Sequence, residues 1–128
     1  MKRRNFLIAL PALAFLPWLA PRARAAQGRT IEIQKSPLAG FQYYEGEKVW
    51  DRMRPRDPLA LIREPDNTYD RQAVAVYWRG NKLGYVPRDE NAAVAQMLDR
   101  GESLKAEIVR LRESQNPWQR VRFQVVLS

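Results

Sequence analysis

Apolar residues alternate with polar ones along much of this chain, which is the pattern of half-buried β-strands. Val121, Phe123 and Val125 give the clearest example. Residues 73–78 are almost all small, β-branched or aromatic, which predicts a strand covered on both faces. The predicted strands comprise residues 30–34, 59–63, 73–78, 83–86, 104–111 and 121–127, with a hairpin turn at 79–82 and a further apolar and aromatic segment at 38–44.

One segment has helical spacing instead. Its apolar residues, which share one helical face, are Ala93, Val94, Met97 and Leu98. Asp89 can cap the N-terminus and Arg100 followed by Gly101 supplies the stop, so a helix is predicted over residues 89–100. About six short strands with one helix indicate a β-dominated fold of the small barrel type.

Residues 47–58 are charged and interrupted by prolines, so this segment is predicted to be a loop or the edge of a strand. Arg52, Arg54 and Arg56 alternate within it. Alternate arginines are consistent with a stripe that follows phosphates, but also with a solvated edge protected by charge, and the second interpretation is favoured.

The turn between the predicted strands 59–63 and 73–78 is called the signature loop here. Pro65, Asp66 and Asn67 are turn formers, and Tyr69 and Asp70 follow at its exit. An aromatic ring, a carboxylate and an amide are thereby placed on a tight loop that leads directly into a core strand. This arrangement predicts a rigid binding edge.

The first 25 residues have the pattern of an export signal. A basic head precedes an apolar run over residues 6–20, and Ala23 and Ala25 are small residues at the positions that a signal peptidase inspects. The start resembles a twin-arginine motif, with its residues at Arg3, Arg4, Phe6 and Leu7. A cleaved signal predicts a periplasmic or secreted protein, and an uncleaved one predicts an inner-membrane anchor.

The charge changes once the proposed signal is set aside. The whole chain has 22 basic and 14 acidic residues, but five of the basic residues and none of the acidic ones lie before residue 26. A surplus of three positive charges remains, which is modest for a nucleic-acid-binding protein. Only clustering of the basic residues creates a usable positive surface.

The chain contains neither cysteine nor histidine. This composition excludes a disulfide framework and a lipoprotein anchor, and it leaves a zinc site without its usual ligands. It also removes the commonest general base and the strongest nucleophile. No catalytic constellation and no phosphate-binding Gly-rich loop is visible, so a non-enzymatic domain without cofactor or metal is predicted.

The signature loop and the strand after it resemble the signature of the HIRAN domain, a small β-rich module. Residues 40–46 resemble the first motif of this family, Gly84, Tyr85 and Val86 resemble its third motif, and Trp118 lies near a late aromatic position. The resemblance covers residues 38–127. It implies an OB-like β-barrel that binds a free 3' end of single-stranded DNA.

The resemblance also implies roles for individual residues. Tyr43, Tyr69 and Trp118 match aromatic residues that hold the terminal bases, although each also fits rim or core packing. Asp70 is expected to accept a hydrogen bond from the terminal 3' hydroxyl, with Asn67 assisting. The alternative is that both residues only brace the loop through Asx turns.

Phosphate contacts are expected from arginines. Arg71 and Arg88 match basic family positions, and arginine suits phosphate through bidentate hydrogen bonds. Three positions depart from the family pattern, because Gln42 replaces an arginine, Tyr85 a histidine and Thr68 a proline. Tyr85 is retained as a candidate site residue.

The predicted organisation is therefore a signal over residues 1–25, a lead segment with the first strand over 26–37, and a HIRAN-like domain over 38–128. The predicted function is binding of single-stranded DNA at a 3' end. The alternative is a cell-envelope module that uses the same aromatic cleft to bind a protein, a peptide or a glycan.

Overall fold

The computed structural model describes residues 30–128. The predicted signal therefore lies outside the described residues, together with its twin-arginine motif and its cleavage positions Ala23 and Ala25. Within residues 30–128, no helix is long and apolar enough to cross a membrane.

Residues 30–128 form six antiparallel strands, which confirms the β-dominated prediction. The strands are β1 (Ile31–Pro37), β2 (Pro58–Arg63), β3 (Val74–Trp78), β4 (Asn81–Tyr85), β5 (Leu104–Leu111) and β6 (Val121–Leu127), in the sheet order β1-β6-β5-β2-β3-β4. The helices are α1 (Gly46–Val49) and α2 (Ala92–Asp99). Four 3-10 turns lie at Phe41–Tyr43, Trp50–Arg52, Arg88–Glu90 and Pro117–Gln119.

The sheet is not closed by strand pairing alone, but it curls into a barrel-like shape. The residues after β1 bridge its two ends: Leu38 donates its N–H to the Val121 carbonyl at 3.1 Å, and Ala39 exchanges two backbone hydrogen bonds of 2.9 Å with Tyr85. Gly84 permits this approach, because a Cβ at that position would lie 2.2 Å from the Ala39 carbonyl oxygen. The contact places the segment after β1 beside the end of β4.

The core lies inside the curl of the sheet. Val121, Phe123 and Val125 of β6 point into it and are buried, as their alternation predicts. Four of the five β3 residues are buried on both faces of the strand, which agrees with its apolar composition. Burial of these side chains is the main stabilising contribution to the fold, since it scales with the apolar area removed from water.

The helix prediction was right in type but wrong at its start. Asp89 does not cap α2, because it lies in the 3-10 turn Arg88–Glu90 and Asn91 occupies the N-cap position. The turn is held by β1: the buried Ser36 hydroxyl donates to a Glu90 carboxylate oxygen at 2.8 Å, and Gln34 donates to the Glu90 carbonyl at 3.0 Å. These contacts link residues more than 50 positions apart, so no local pattern reveals them.

Two other segments differ from the prediction. Residues 38–44 contain a bridge at Ala39 and a 3-10 turn, because Gly40 adopts φ +77° and turns the chain away from an extended path. Residues 46–52 form α1 and a further 3-10 turn where a loop or strand edge was expected. Arg52 lies over the Trp78 ring, Arg54 donates hydrogen bonds to the Asp51 and Met53 carbonyls, and all three alternating arginines are exposed.

Candidate nucleic-acid interface

An open cavity of about 350 Å³ lies between the signature loop, the end of β4 and the segment after β1. It combines aromatic rings, a carboxylate and a cation on a partly apolar floor. The lining residues are Ala39, Tyr44, Asn67, Tyr69, Asp70, Ala73, Tyr85, Val86 and Arg88. Such a combination suits a ligand with a flat ring, a hydroxyl group and a phosphate.

Asn67 gives the signature loop its shape. Its side-chain oxygen accepts hydrogen bonds from the backbone N–H groups of Tyr69 at 2.8 Å and Asp70 at 3.1 Å, which is an Asx turn. Its amide donates to the Glu64 carboxylate at 3.0 Å. The bracing role therefore describes Asn67 well, and its amide has little capacity left for a ligand.

At the base of the signature loop, two hydrogen-bond donors contact the same backbone carbonyl. The Glu64 N–H and the Arg63 guanidinium donate to the Ala73 carbonyl at 3.0 and 3.1 Å. Arg63 also makes a bidentate ion pair with Asp99 at the end of α2, with N–O distances of 3.0 and 3.2 Å. The base of the loop is thereby tied both to the start of β3 and to the end of α2.

Asp70 lines the cavity and is half-buried, so it is not sealed from solvent. One carboxylate oxygen accepts from the Gln72 N–H at 2.9 Å, and the other accepts from the Asn91 side-chain amide at 2.8 Å. Each carboxylate oxygen has two lone pairs, so both retain capacity for a further donor. The carboxylate is thus oriented by the protein and can still accept a ligand hydroxyl.

A partly buried polar network supports the aromatic wall of the cavity. The Tyr85 hydroxyl donates to Glu64 at 2.7 Å and accepts from the Lys82 ammonium at 2.6 Å. Lys82 also pairs with Glu64 at 3.2 Å. Because these residues are 3, 18 and 21 positions apart in sequence, no local motif reveals Glu64 or Lys82.

The network shifts the pKa values of its members. Burial opposes ionisation of Glu64, but the hydrogen bonds that it accepts outweigh burial and lower the pKa of its carboxyl. Burial also disfavours the Lys82 cation, yet its hydrogen bonds to Tyr85 and Glu64 raise its pKa. Burial raises the pKa of the Tyr85 hydroxyl. The hydrogen bond from Lys82 lowers this pKa, and the hydrogen bond to Glu64 raises it further. At neutral pH the network therefore contains one anion, one cation and a neutral phenol.

Tyr44 forms part of this wall, whereas its neighbour Tyr43 was the predicted site residue. The Tyr44 ring meets Tyr85 edge to face with centroids 5.8 Å apart, and the Lys82 ammonium lies 4.7 Å from the Tyr44 centroid and 4.4 Å from that of Tyr85. Cation–π contact with both rings holds them in place. The sequence signal for a ring at this position is the pair Tyr43 and Tyr44 in the first motif. The local turn determines which of the two rings faces the cavity.

The structure brings together five of the eight predicted site residues. Asn67, Tyr69, Asp70, Tyr85 and Arg88 all line the cavity, and Tyr69 stands at its rim with 85% of its surface exposed. The roles of these residues in binding remain predictions.

The other three predicted site residues lie outside the cavity. Arg71 lines a separate polar groove formed by the outer side of the signature loop. Tyr43 and Trp118 lie on two 3-10 turns that pack side by side, with 75% and 48% of their surfaces exposed.

Arg88 supplies the positive charge of the cavity. It is exposed, and it forms no salt bridge with any other residue of 30–128. Lys82 does not fill this role, because it is already paired with Glu64. Within the same range, no three acidic residues cluster closely enough to hold a metal ion.

Comparison with known proteins supports a single family. A family model described as HIRAN domain matches residues 31–128. The chain is 35% identical over 66 residues to the helicase-like transcription factor of Mus musculus, an alignment that covers 51% of this chain and 6% of that protein. It is also 35% identical over 63 residues to a SWI/SNF-related matrix-associated actin-dependent regulator of chromatin, subfamily A member 3-like 1, from Arabidopsis thaliana, covering 48% and 7%. The chain therefore spans less than a tenth of either relative.

Two solved structures share the fold. A protein from Lactobacillus plantarum superposes with a TM-score of 0.67 at 23% identity, covering 77% of this chain and 95% of that one. The HIRAN domain of human HLTF superposes with a TM-score of 0.58 at 20% identity, covering 80% and 83%.

Proposed function

This chain belongs to the HIRAN domain family, and on that premise we propose that it is a binding domain for nucleic acid, with a preference for single-stranded DNA that ends in a 3' hydroxyl. The observation that carries the proposal is the placement of Tyr69, Asp70 and Arg88 around one cavity. The domain acts by binding and needs no cofactor or metal.

Each part of a terminal nucleotide has a chemical counterpart in the cavity. A base stacks on the rings of Tyr44 and Tyr69, a contact worth about 1–3 kcal/mol. The exposed Arg88 guanidinium pairs with a phosphate. Asp70 accepts a hydrogen bond from the terminal hydroxyl, which a nucleotide inside the strand lacks.

The carboxylate is the reason for preferring an end over the interior of a strand. Asp70 repels a phosphate placed at the same position, since two anions in a partly buried site have little screening. Its orientation by Gln72 and Asn91 holds this discrimination in place.

Binding of a fluorescent single-stranded oligonucleotide to the purified protein at two salt concentrations tests the proposal. Affinity should fall as salt rises, with a slope of about 0.7 in log–log form for each phosphate bound. Absence of binding at low salt would contradict it, and would favour the envelope module that binds a protein, peptide or glycan.

We further propose that the chain is exported through its twin-arginine motif. Replacing Arg3 and Arg4 together by lysine should retain the protein in the cytoplasmic fraction of cells. Unchanged export would contradict this route.

A further inference from the structure

The outer face of the hairpin formed by β5 and β6 carries two arginines directly opposite each other. Arg110 of β5 and Arg122 of β6 are cross-strand partners. Opposite residues in an antiparallel pair project to the same face, with Cβ atoms about 4.5–5.5 Å apart. Because Val121 and Phe123 point into the core, Arg122 and its partner face outward.

No acidic residue forms a salt bridge with this pair in the described part of the chain. Among the cross-strand pairs of residues 30–128, it is the one in which both partners are charged, and neither arginine forms a salt bridge within that range. Glu107 lies on the same face but accepts from Gln124 at 2.7 Å, and Glu113 accepts from Trp50 at 3.1 Å. Like charges placed opposite each other destabilise a sheet, so the pair opposes folding.

Exposed rings and a further cation lie on the elements between the pair and the cavity. Tyr43 lies in the first motif, directly before Tyr44 of the cavity wall, and its turn packs beside the turn that carries Trp118. That turn is the tip of the β5–β6 hairpin, and the exposed Arg112 lies between it and Arg110. Exposed rings followed by cations suit a single strand, because bases stack on the rings while phosphates pair with the guanidinium groups.

We propose that Arg110 and Arg122 form a second binding point for single-stranded nucleic acid, which holds phosphates of the strand several nucleotides away from the end in the cavity. This inference rests on the proposed function. It makes the arginine pair a determinant of strand length, since only a strand long enough to pass Tyr43 and Trp118 reaches it.

Binding of two strand lengths tests the proposal, one of about 4 and one of about 16 nucleotides. The double variant R110Q/R122Q should bind the short strand as the parent does and the long strand about tenfold more weakly. Its salt slope on the long strand should fall by about 1.4, because two phosphates are no longer neutralised by arginine. The matched control K35Q/R100Q removes the same charge from cations that already pair with Glu32 and Glu102, and it should keep the parent's long-strand affinity.

The outcomes separate the two proposals. If the parent binds the short strand and R110Q/R122Q binds the long strand as tightly as the parent does, the second binding point is overturned while the proposed function stands. The arginine pair would then be a candidate contact for an anionic protein. Failure of the parent to bind either length overturns both proposals. The double variant should also melt at the same or a higher temperature than the parent, because a repulsion is removed; a lower melting temperature would identify the pair as structural and contradict the inference.

Discussion

The side-chain amide of Asn91 donates a 2.8 Å hydrogen bond to the carboxylate of Asp70, which ties the acid of the signature loop to the start of α2. Asn91 is buried, with 1% of its surface exposed, and its own side-chain oxygen has no hydrogen-bond partner among the described residues. A buried acceptor without a partner is costly. We infer that this cost is tolerated because the amide positions Asp70 at the cavity.

Replacing Asn91 by alanine should show whether Asn91 orients the Asp70 carboxylate or only stabilises the fold. The lost hydrogen bond and the removed orphan oxygen have opposite effects, so the free energy of unfolding should change by no more than about 1 kcal/mol. Preference for a 3' hydroxyl over a 3' phosphate should fall roughly tenfold, or about 1.4 kcal/mol, when measured by fluorescence anisotropy. Gln96→Ala on the exposed face of the same helix is the control, and full preference in the Asn91 variant would contradict the positioning role.

Tyr44 and Tyr43 should differ in their effect on short strands. Tyr44→Ala removes a ring of the cavity wall and should weaken binding of a strand of about 4 nucleotides by 1–3 kcal/mol, or about 5- to 150-fold. Tyr43→Ala should leave that affinity nearly unchanged, because Tyr43 lies outside the cavity. Titration of both variants with the short strand measures the two affinities. A larger loss of affinity for Tyr43→Ala than for Tyr44→Ala would indicate that the base stacks on Tyr43.

Acid should weaken the network beneath Tyr44. The pKa of Glu64 is lowered in the folded protein, so its stabilisation is fully present above the ordinary glutamate pKa of about 4.3 and is lost as pH falls through the folded-state value. Glu64→Gln should reduce the free energy of unfolding by about 1–2 kcal/mol at neutral pH, with the difference from the parent shrinking below about pH 4. Urea denaturation across this range measures it. Glu32→Gln, in an exposed pair, should change stability little, and a constant difference for Glu64→Gln at all pH values would refute the coupling.

Gly84 should tolerate a side chain much less well than Gly80. Its φ is +155° and an added Cβ would lie 2.2 Å from the Ala39 carbonyl oxygen, whereas Gly80 has φ +82° and open space around it. Gly84→Ala should therefore lower the free energy of unfolding by about 3 kcal/mol, and Gly80→Ala by about 1 kcal/mol. Chemical denaturation compares the two, and equal losses would show that the Ala39 bridge does not constrain β4.

The strands were predictable because their signal is local. Burial of alternate residues in β6 and of both faces in β3 follows from side-chain spacing alone. A hairpin turn was predicted over residues 79–82; it is shorter in the structure, where Arg79 and Gly80 both adopt positive φ and β4 already begins at Asn81. The start of α2 could not be predicted, because Ser36 holds the preceding turn from a distant strand.

The candidate site was predictable only in part. The signature loop brings Tyr69 and Asp70 to the cavity through its own turn chemistry, and its motif is readable in the sequence. Tyr44 was missed because a 3-10 turn after Gly40 determines which of two adjacent rings faces inward. Glu64 and Lys82 were missed because their contact depends on how β4 pairs beside the loop, which no local spacing encodes.

The most direct test of the account compares single strands that differ only at their end, one with a 3' hydroxyl and one with a 3' phosphate, on the parent protein and on Asp70→Asn. The parent should bind the hydroxyl end at least tenfold more tightly, and Asp70→Asn should lose that preference while Asp66→Asn, whose side chain lines the outer groove of the same loop, keeps it. Equal affinity of the parent for both ends would contradict the role assigned to Asp70 and with it the proposed reading of strand ends.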